Sequence, residues 1–272
     1  MIKVLIFGGS GYLGNTVFKE LNPFYDVYCT YFKNIHFKKN KRFFCFDLND
    51  DFNGIVKKMN PTHIISSLKG DFNKQILFHK RLINYCDDKN IKLLFISSSN
   101  VFDTFTNYPS YENDKTFSES IFGRFKINIE NKILRMKSKK WVILRSPMIF
   151  DKNSPRIKDI LIKTKESIAI EVFPNLIVNI NSAKKFAKQI HYIISRDING
   201  IIHHGSNDLV NHDEYIFSIV KKLNIKKINY KYIYTTNDNR YLALFSNQNI
   251  FPNHLQFSYN EVLREIVKKW IL

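Results

Sequence analysis

Short, continuous apolar runs alternate with longer amphipathic segments over the first 150 residues. Such runs are typical of strands in a parallel sheet whose two faces are both covered by helices. The pattern therefore predicts an α/β fold with a doubly wound parallel sheet. The predicted strands are residues 3–7, 26–31, 42–46, 62–66, 92–97 and 141–144, and the predicted helices are residues 15–21, 73–85 and 122–135.

After Pro147 the alternation becomes less regular, which predicts a smaller C-terminal lobe packed on the first part. We assign residues 1–147 to the doubly wound domain and residues 148–272 to this lobe, whose strands are free to return to the first sheet. The predicted helices here are residues 156–165, 183–194, 214–223 and 258–270, with a strand at residues 201–204.

Composition restricts the class of protein further. With 44% hydrophobic residues the chain can build a large core, which argues against disorder. Its three cysteines, Cys29, Cys45 and Cys86, are too few and too dispersed for a disulfide scaffold and favour a reducing compartment. The first apolar run stops at Gly8, and none approaches the roughly 18 residues that span a bilayer. We therefore expect a cytoplasmic protein without a membrane partner.

The net charge of +18 suggests nucleic-acid binding at first, but the lysines are scattered in small groups. Lysine is abundant together with asparagine, isoleucine and phenylalanine, a bias that an AT-rich genome produces without selection for function. Attraction of anionic substrates is the alternative, and we expect no nucleic-acid partner. The eight histidines lack metal-ligand spacing, since neighbours such as His203 and His204 on a strand point to opposite faces. No metal site is predicted.

A glycine-rich loop lies between the first predicted strand and the first predicted helix. Bare backbone at this place lets a diphosphate approach the amides at the helix N-terminus. The motif therefore predicts dinucleotide binding and a Rossmann sheet. It reads Gly8-Gly9-Ser10-Gly11-Tyr12-Leu13-Gly14.

The end of the second strand indicates which dinucleotide binds. Thr30-Tyr31-Phe32-Lys33 contains no carboxylate to accept a bond from a ribose 2′-hydroxyl. Lys33, with Lys38 or Arg42, is suited to a 2′-phosphate, so NADP is favoured and NAD is the alternative. Asp47-Leu48, after the third strand, is placed to bound the adenine pocket.

Several motifs together resemble the extended short-chain dehydrogenases/reductases, and among them dTDP-4-dehydrorhamnose reductases and related sugar-nucleotide reductases. The resemblance extends over nearly the whole chain. It rests on the glycine loop, Asp47-Leu48, the segment from Ile96 to Asp103, Tyr111-Glu112, Phe122-Gly123-x-x-Lys126, Glu130, Leu144-Arg145-Ser146, Gly200-Ile201-Ile202-His203 and Arg240-Tyr241-Leu242-Ala243-Leu244.

This resemblance implies a set of site residues. Ser98 takes the position of the hydroxyl that steadies the substrate carbonyl, and Lys126 that of the lysine that binds the nicotinamide ribose. Ser66 and Ser67 replace an alanine-rich turn near the nicotinamide, and Met148 replaces a substrate-facing tryptophan. Arg240 either binds a diphosphate or forms a surface ion pair.

Phe122 occupies the position of the family's tyrosine, the proton donor, and has no proton to give. Three interpretations remain open. The protein is a catalytically silent or regulatory binder, it is an enzyme with another donor such as Ser98, Tyr108, Tyr111 or water, or the phenylalanine is a deliberate replacement.

The resemblance implies an NAD(P)-dependent reductase of a nucleotide-linked 4-keto-6-deoxy sugar, in deoxysugar or surface-polysaccharide biosynthesis. The alternative is a silent or regulatory binding subunit of the same fold. The implied partner is a nucleotide sugar, and a homodimer is left open.

Overall fold

Strands and helices alternate in the structure, a computed structural model that describes residues 1–104 and 107–267. The strands are β1 (Lys3–Phe7), β2 (Asp26–Tyr31), β3 (Phe43–Cys45), β4 (His63–Ser66), β5 (Lys92–Ile96), β6 (Trp141–Arg145), β7 (Met148–Ile149), β8 (Ile170–Val172), β9 (Leu176–Val178), β10 (Ile180–Asn181), β11 (Gly200–His203), β12 (Val210–Asn211), β13 (Tyr230–Tyr232) and β14 (Arg240–Leu242). The helices are α1 (Tyr12–Leu21), α2 (Asn53–Met59), α3 (Phe72–Asp88), α4 (Ile121–Ile133), α5 (Pro155–Lys165), α6 (Ala183–Ser195), α7 (His212–Lys222) and α8 (Tyr259–Val267).

The central sheet has seven parallel strands in the order β3-β2-β1-β4-β5-β6-β11. The chain starts in the middle of the sheet, because Ile6 of β1 pairs with Cys29 of β2 on one side and with Ile65 of β4 on the other. This arrangement confirms the doubly wound parallel sheet. It also places the end of β1 at the point where the strand order reverses, which is where such sheets bind ligands.

Two apolar layers cover the sheet, one on each face. Side chains alternate along β1, so that Val4 and Ile6 join the layer formed with α1 and α6, whereas Leu5 and Phe7 join the layer formed with α3 and α4. All four are fully buried. This double burial explains why the strand reads as a continuous apolar run in the sequence.

The second half of the chain forms a smaller layer of short strands and helices with its own apolar cluster around Phe150, Val172 and Tyr215. In this layer β7 pairs with β10, β8 pairs with β13, and β9 lies between β12 and β14. Two later elements return to the large layer, since β11 pairs with β6 and α6 packs against α1. Whether residues 1–147 and 148–272 behave as separate units stays a prediction.

The structure differs from the sequence expectations at the first helix and at α2, and it describes only part of the expected final helix. The first helix begins at Tyr12, not at residue 15, because the last residues of the glycine loop already have helical geometry. Helix α2 was not predicted from the sequence; it is seven residues long and begins with Asn53-Gly54, a pair typical of turns. Of the final helix expected at residues 258–270, α8 covers Tyr259–Val267, and residues 268–270 lie outside the described part. No described helix has the length and apolar character needed to cross a membrane.

The packing of α6 on the sheet gives a stability prediction. Ile190 of α6 is fully buried in the layer shared with α1, so Ile190→Ala leaves a cavity. We expect the free energy of unfolding, measured by urea denaturation, to fall by about 2–5 kcal/mol. Ile162→Ala on α5 is the control, since that side chain is 53% exposed, and its effect should stay within about 0.5 kcal/mol. Equal effects of the two variants would contradict the assigned packing.

Candidate active site

The glycine loop joins the end of β1 directly to α1. Its backbone is held by Thr30 at the neighbouring strand end, which accepts bonds from Gly8 N at its hydroxyl (2.9 Å) and from Ser10 N at its carbonyl (3.2 Å). A Cβ atom on Gly14 would lie 2.3 Å from the Gly8 carbonyl oxygen. Only glycine therefore allows the first turn of α1 to pack on the loop.

The N-terminus of α1 meets the requirements of a dinucleotide diphosphate. Gly11, the N-cap residue, is exposed and provides no side chain to cap the first amides. These amides and the positive end of the helix dipole are a site for an anion. Because the loop is bare on its exposed side, the residues present fit a nicotinamide dinucleotide.

Helix α4 brings two predicted site residues to the same cleft. Phe122 and Lys126 are four residues apart and therefore lie on one face of the helix. Ser120 caps the helix by accepting a bond from Gly123 N (3.0 Å). A Cβ atom on Gly123 would lie 2.2 Å from the Asn100 carbonyl oxygen, so glycine allows α4 to approach the turn that carries Ser98.

Lys126 is buried, with 8% of its surface exposed, and its ammonium group donates to the Ile96 carbonyl oxygen (2.8 Å). Its Nζ atom lies 4.7 Å from the ring centre of Phe95 and 5.5 Å from that of Phe122. Burial lowers the pKa of Lys126 to about 8, and the carboxylate of Glu130 partly opposes this shift. The lysine is therefore close to its titration point at neutral pH.

A cleft of about 460 Å³ extends from the glycine loop to α4. We call it the catalytic cleft, and α4 the catalytic helix, after the roles that the family resemblance implies for Ser98 and Lys126. The cleft collects predicted residues from five regions of the sequence, which parallel strands bring to the same edge of the sheet. The predicted residues that line it are Gly11, Tyr12, Leu13, Ser67, Ser98, Phe122, Lys126 and Met148. The Ser98 hydroxyl donates to Asn100 Oδ1 (2.9 Å) and accepts from Asn100 N (3.2 Å).

The remaining predicted site residues lie elsewhere. Gly8 and Gly14 form the inner side of the loop, and Ser10 lines a second cleft on the other side of α1. Ser66 is buried and bonded to His79 Nε2 (2.8 Å), so its hydroxyl is already engaged. Lys33 is exposed at the loop after β2.

Asp47, Leu48 and Arg240 are also outside the catalytic cleft. Asp47 accepts a bond from Asn49 N (2.8 Å), and Leu48 packs against the apolar layer below the sheet. Arg240 donates to the Asp103 carbonyl oxygen (2.6 Å) and to the Thr235 hydroxyl (3.0 Å). It lines a separate cavity of about 130 Å³, so its role in binding a diphosphate stays a prediction.

The wall of the catalytic cleft is apolar at Phe122, the position at which the family has its proton-donating tyrosine. Its ring is 38% exposed and lies 5.9 Å from the ring of Phe72. Of the alternative donors considered from the sequence, Ser98 lines the cleft. Tyr111 lines a different cavity, and Tyr108 is 63% exposed.

Sequence reasoning missed a bond between the glycine-loop helix and the smaller layer. Tyr12, the first residue of α1, donates its hydroxyl to Asp151, which follows β7. Burial and the adjacent carboxylate raise the pKa of the Tyr12 phenol. The same carboxylate accepts a bond from Ala183 N (3.3 Å), the first residue of α6. No local sequence signal indicates this pairing, because the two residues are distant in the chain.

A buried ionic network behind Lys126 was also missed. Arg145 of β6 forms bonds with both carboxylate oxygens of Glu130, one helical turn after Lys126 (Nη2 to Oε2 2.8 Å). It also contacts His203 Nε2 (3.3 Å) and donates to the Glu112 carbonyl oxygen (3.2 Å). These residues lie within motifs that carried the family resemblance, so the signal was present, but their mutual contact was not deducible from order along the chain.

The strand order and the glycine loop between β1 and α1 define a Rossmann fold of the kind found in the extended short-chain dehydrogenases/reductases. Residues 69–243 match the model of the family described as the RmlD substrate binding domain. Because the match covers more than half of the chain, the chain belongs to this family, and the predicted resemblance is confirmed. No curated protein matches the chain.

Solved structures with the same fold extend over the whole chain. A dTDP-4-dehydrorhamnose reductase from Bacillus anthracis in complex with NADP is 20% identical, with a TM-score of 0.80 and coverage of 98% of this chain and 99% of its own. An orthologue from Clostridium acetobutylicum is 17% identical (TM-score 0.77, 98% and 98% covered). The Thermus thermophilus UDP-glucose 4-epimerase in complex with NAD is 15% identical (TM-score 0.82, 98% and 98% covered). At these identities the likeness establishes the fold.

The glycine loop provides a test that separates folding from binding. A Cβ atom on Gly11 would meet the Gly8 carbonyl oxygen at 3.2 Å, whereas one on Gly14 would meet it at 2.3 Å. We expect Gly11→Ala to keep its melting temperature but to bind NADPH at least about tenfold more weakly, because the methyl group crowds the exposed amides. Gly14→Ala should lose both stability and binding.

Fluorescence titration with NADPH and thermal unfolding measure the two effects. Gly54→Ala is the matched control, because a methyl group at that position would have no other atom within 4 Å and alanine is favourable in a helix. Unchanged NADPH affinity in Gly11→Ala would exclude this loop as the diphosphate site.

Proposed function

We propose that the protein is an NADP-dependent reductase of a nucleotide-linked 4-keto-6-deoxy sugar, resembling dTDP-4-dehydrorhamnose reductases. The observation that carries the proposal is the single cleft that joins the bare glycine loop to Ser98 and Lys126. Membership of the RmlD family and the sugar-nucleotide enzymes among the structural relatives support it. Cytoplasmic deoxysugar or surface-polysaccharide biosynthesis is the corresponding process.

Residues of the chain have distinct tasks in this reaction. The amides at Gly11 and Tyr12 bind the diphosphate, and the buried ammonium group of Lys126 binds the nicotinamide ribose. The bound dinucleotide supplies the hydride that reduces the ketone. Ser98 holds the carbonyl oxygen through its hydroxyl, whose present partner, Asn100, is on the same turn.

The proton for the developing alkoxide must come from a group other than Phe122. Among the protic side chains that line the cleft, Ser98 is the one at the position of the carbonyl-binding hydroxyl. Lys126 lines the same cleft and is a source of protons because its pKa is about 8. We infer that Ser98 delivers the proton, with Lys126 or water restoring it. Loss of a positioned general acid typically costs about 10²–10⁴-fold, so turnover in this arrangement is slow.

A second candidate function is a catalytically silent binder or regulatory subunit. The specific observation that favours it is the exposed phenylalanine ring in the cleft wall, where the reaction needs a proton. The buried Lys126 fits both candidates, because its ammonium group binds the nicotinamide ribose in either of them. Ser98 in the same cleft favours the reductase, because a binder does not need a hydroxyl at the substrate carbonyl.

Three features support NADP over NAD. Thr30 is bonded to the glycine loop, so no carboxylate occupies the usual ribose position. Lys33 is free to approach a 2′-phosphate, whereas Arg42 is held by Asp26 (2.6 Å). Ser10 lines a second cleft, of about 830 Å³. Four lysines and two acidic residues are among its described lining residues: Lys19, Lys152, Lys158, Lys184, Asp151 and Glu265. An excess of cations suits the additional phosphate.

The sugar pocket differs from that of rhamnose reductases at Met148, which lines the catalytic cleft beside Ile149 and Arg156. A flexible thioether replaces a planar indole there. We propose a substrate other than dTDP-4-dehydrorhamnose itself, with the same 4-keto chemistry.

Restoring the phenol tests the proposed reaction. Phe122→Tyr should raise kcat for NADPH oxidation about 10²–10⁴-fold with a suitable nucleotide-linked 4-keto-6-deoxy sugar, because a tyrosine supplies the missing acid. The assay uses a panel of such sugars with the wild-type protein and the variant. Phe117→Tyr, at a ring that is 61% exposed, adds a phenol outside the cleft and should change nothing. If neither form turns over any sugar while both bind NADPH, the silent binder is the correct function.

The pH dependence tests Lys126. Its ammonium form is present below its pKa of about 8 and is lost above it, so kcat/KM of the wild-type protein should fall through about pH 8 as the pH rises. Lys126→Met should remove this limb and weaken NADPH binding. A rate that is constant from about pH 7 to 9.5 contradicts a role for the charged lysine.

A further inference from the structure

A further cavity, of about 370 Å³ and distinct from the second cleft beside Ser10, opens at the carboxyl end of β11. Its walls come from the end of that strand, from α6 and from the segment 244–256. No described residue lines both this cavity and the catalytic cleft. Its volume lies within the usual range of small-molecule sites. We call it the β11 cavity.

The β11 cavity is electrically neutral in a strongly cationic protein. The chain has 42 Lys and Arg and 24 Asp and Glu, yet none of the sixteen described lining residues belongs to these types. Burial lowers the pKa of His203 to about 4 and that of His204 to about 3, so both rings are uncharged at neutral pH. Phosphates and carboxylates therefore find no counter-ion in this cavity.

The lining is nevertheless polar, with aromatic rings beside it. Carboxamides both donate and accept hydrogen bonds, as do hydroxyls. Some of them bond within the protein, for example Asn207 Nδ2 to Gln256 Oε1 (2.9 Å), and the exposed side chains of Asn207 and Asn247 keep further capacity for a ligand with hydroxyl groups. Aromatic rings offer an apolar face to the C–H groups of such a ligand. The carboxamides are Gln189, Asn207, Asn247, Asn249 and Gln256, and the rings are Tyr111, Phe245 and Phe251.

His204, in the wall of the β11 cavity, has one ring nitrogen without a hydrogen-bond partner in the described chain. Gln189 Oε1 accepts from Asn181 Nδ2 (3.3 Å), so it must also be the acceptor for His204 Nδ1 (3.2 Å). The proton of the neutral ring is thus on Nδ1, which leaves Nε2 as an acceptor. This atom is buried and has no hydrogen-bond partner within the described chain. Because protein atoms enclose this nitrogen, a ligand in the cavity does not bond to it directly, and the free-energy cost of the missing donor belongs to the wall itself.

We propose that the β11 cavity is a binding site for a neutral sugar, separate from the catalytic cleft. A nucleotide or an acidic sugar is disfavoured by the lack of cations, and a lipid is disfavoured by the carboxamides. A neutral monosaccharide unit provides hydroxyl groups for the carboxamides and an apolar face for the rings. The unit is either a free sugar or one residue of a glycan.

Saturation-transfer NMR and calorimetry with the full chain test this proposal. The probes are D-glucose, D-galactose, L-rhamnose and N-acetyl-D-glucosamine at about 10 mM, together with short neutral oligosaccharides that distinguish a free sugar from a glycan unit. At least one neutral sugar should bind. Adenosine and uridine serve as neutral ligands of another class.

Two variants assign binding to the cavity. Asn207→Ala and Asn247→Ala should each weaken sugar binding at least about fivefold, since each removes a hydrogen-bonding carboxamide. The backbone amide of Asn247 donates to Glu112 Oε2 (3.1 Å), and this bond does not involve the side chain. Asn247→Ala therefore keeps the bond, and the fold is retained. Asn84→Ala, at an exposed position of α3, is the matched control. Met148→Arg, which obstructs the catalytic cleft, should leave sugar binding unchanged.

Each alternative outcome overturns the proposal. These outcomes are no binding of any neutral sugar, binding of nucleosides in place of sugars, binding that both asparagine variants retain, and binding that Met148→Arg abolishes. Thermal unfolding of every variant confirms that lost binding does not reflect lost folding. None of these outcomes depends on whether the reductase proposal holds.

Discussion

The contact between the first turn of α1 and the glycine loop is the constraint on which the site depends. Gly14 lies so close to the Gly8 carbonyl oxygen that any side chain would separate the helix from the loop. That closeness leaves the helix N-terminus directly at the end of β1, where the strand order reverses. The same principle recurs at Gly123, which lets α4 approach the turn with Ser98. Two close backbone contacts thus determine the separation between the anion site and the catalytic side chains.

The sequence predicted the sheet well and named residues that the structure collects in one cleft, because both depend on local patterns. Buried parallel strands are continuous apolar runs, and the loop and the Phe122–Lys126 spacing are short motifs. What it missed depends on contacts between distant segments. The short strands of the smaller layer have two or three residues, too few for a periodic signal, and α2 starts with a pair of turn formers. Neither the Tyr12–Asp151 bond nor the engagement of Ser66 by His79 has a local signature.

The buried network around Arg145 connects the catalytic cleft with the β11 cavity. On one side it holds Glu130 on the catalytic helix, and on the other it contacts His203 in the wall of the β11 cavity. A buried charge of this kind is tolerated only with all its partners present. The catalytic helix and the end of β11 are therefore fixed relative to one another by the same guanidinium group. Lys126 owes its position partly to this support, since Glu130 follows it by one helical turn.

The carboxylate of Asp151 has a consequence for how the coenzyme is retained. It lies at the starts of both α1 and α6, bonded to Tyr12 and to Ala183 N, and it lines a cleft that Gly11 also borders. The lysines of that cleft outnumber its two carboxylates, so an arriving diphosphate meets a net positive field in which Asp151 is an opposing charge. This carboxylate weakens the attraction without reversing it. An anion at the start of α1 is therefore held less firmly than the lysines alone would hold it.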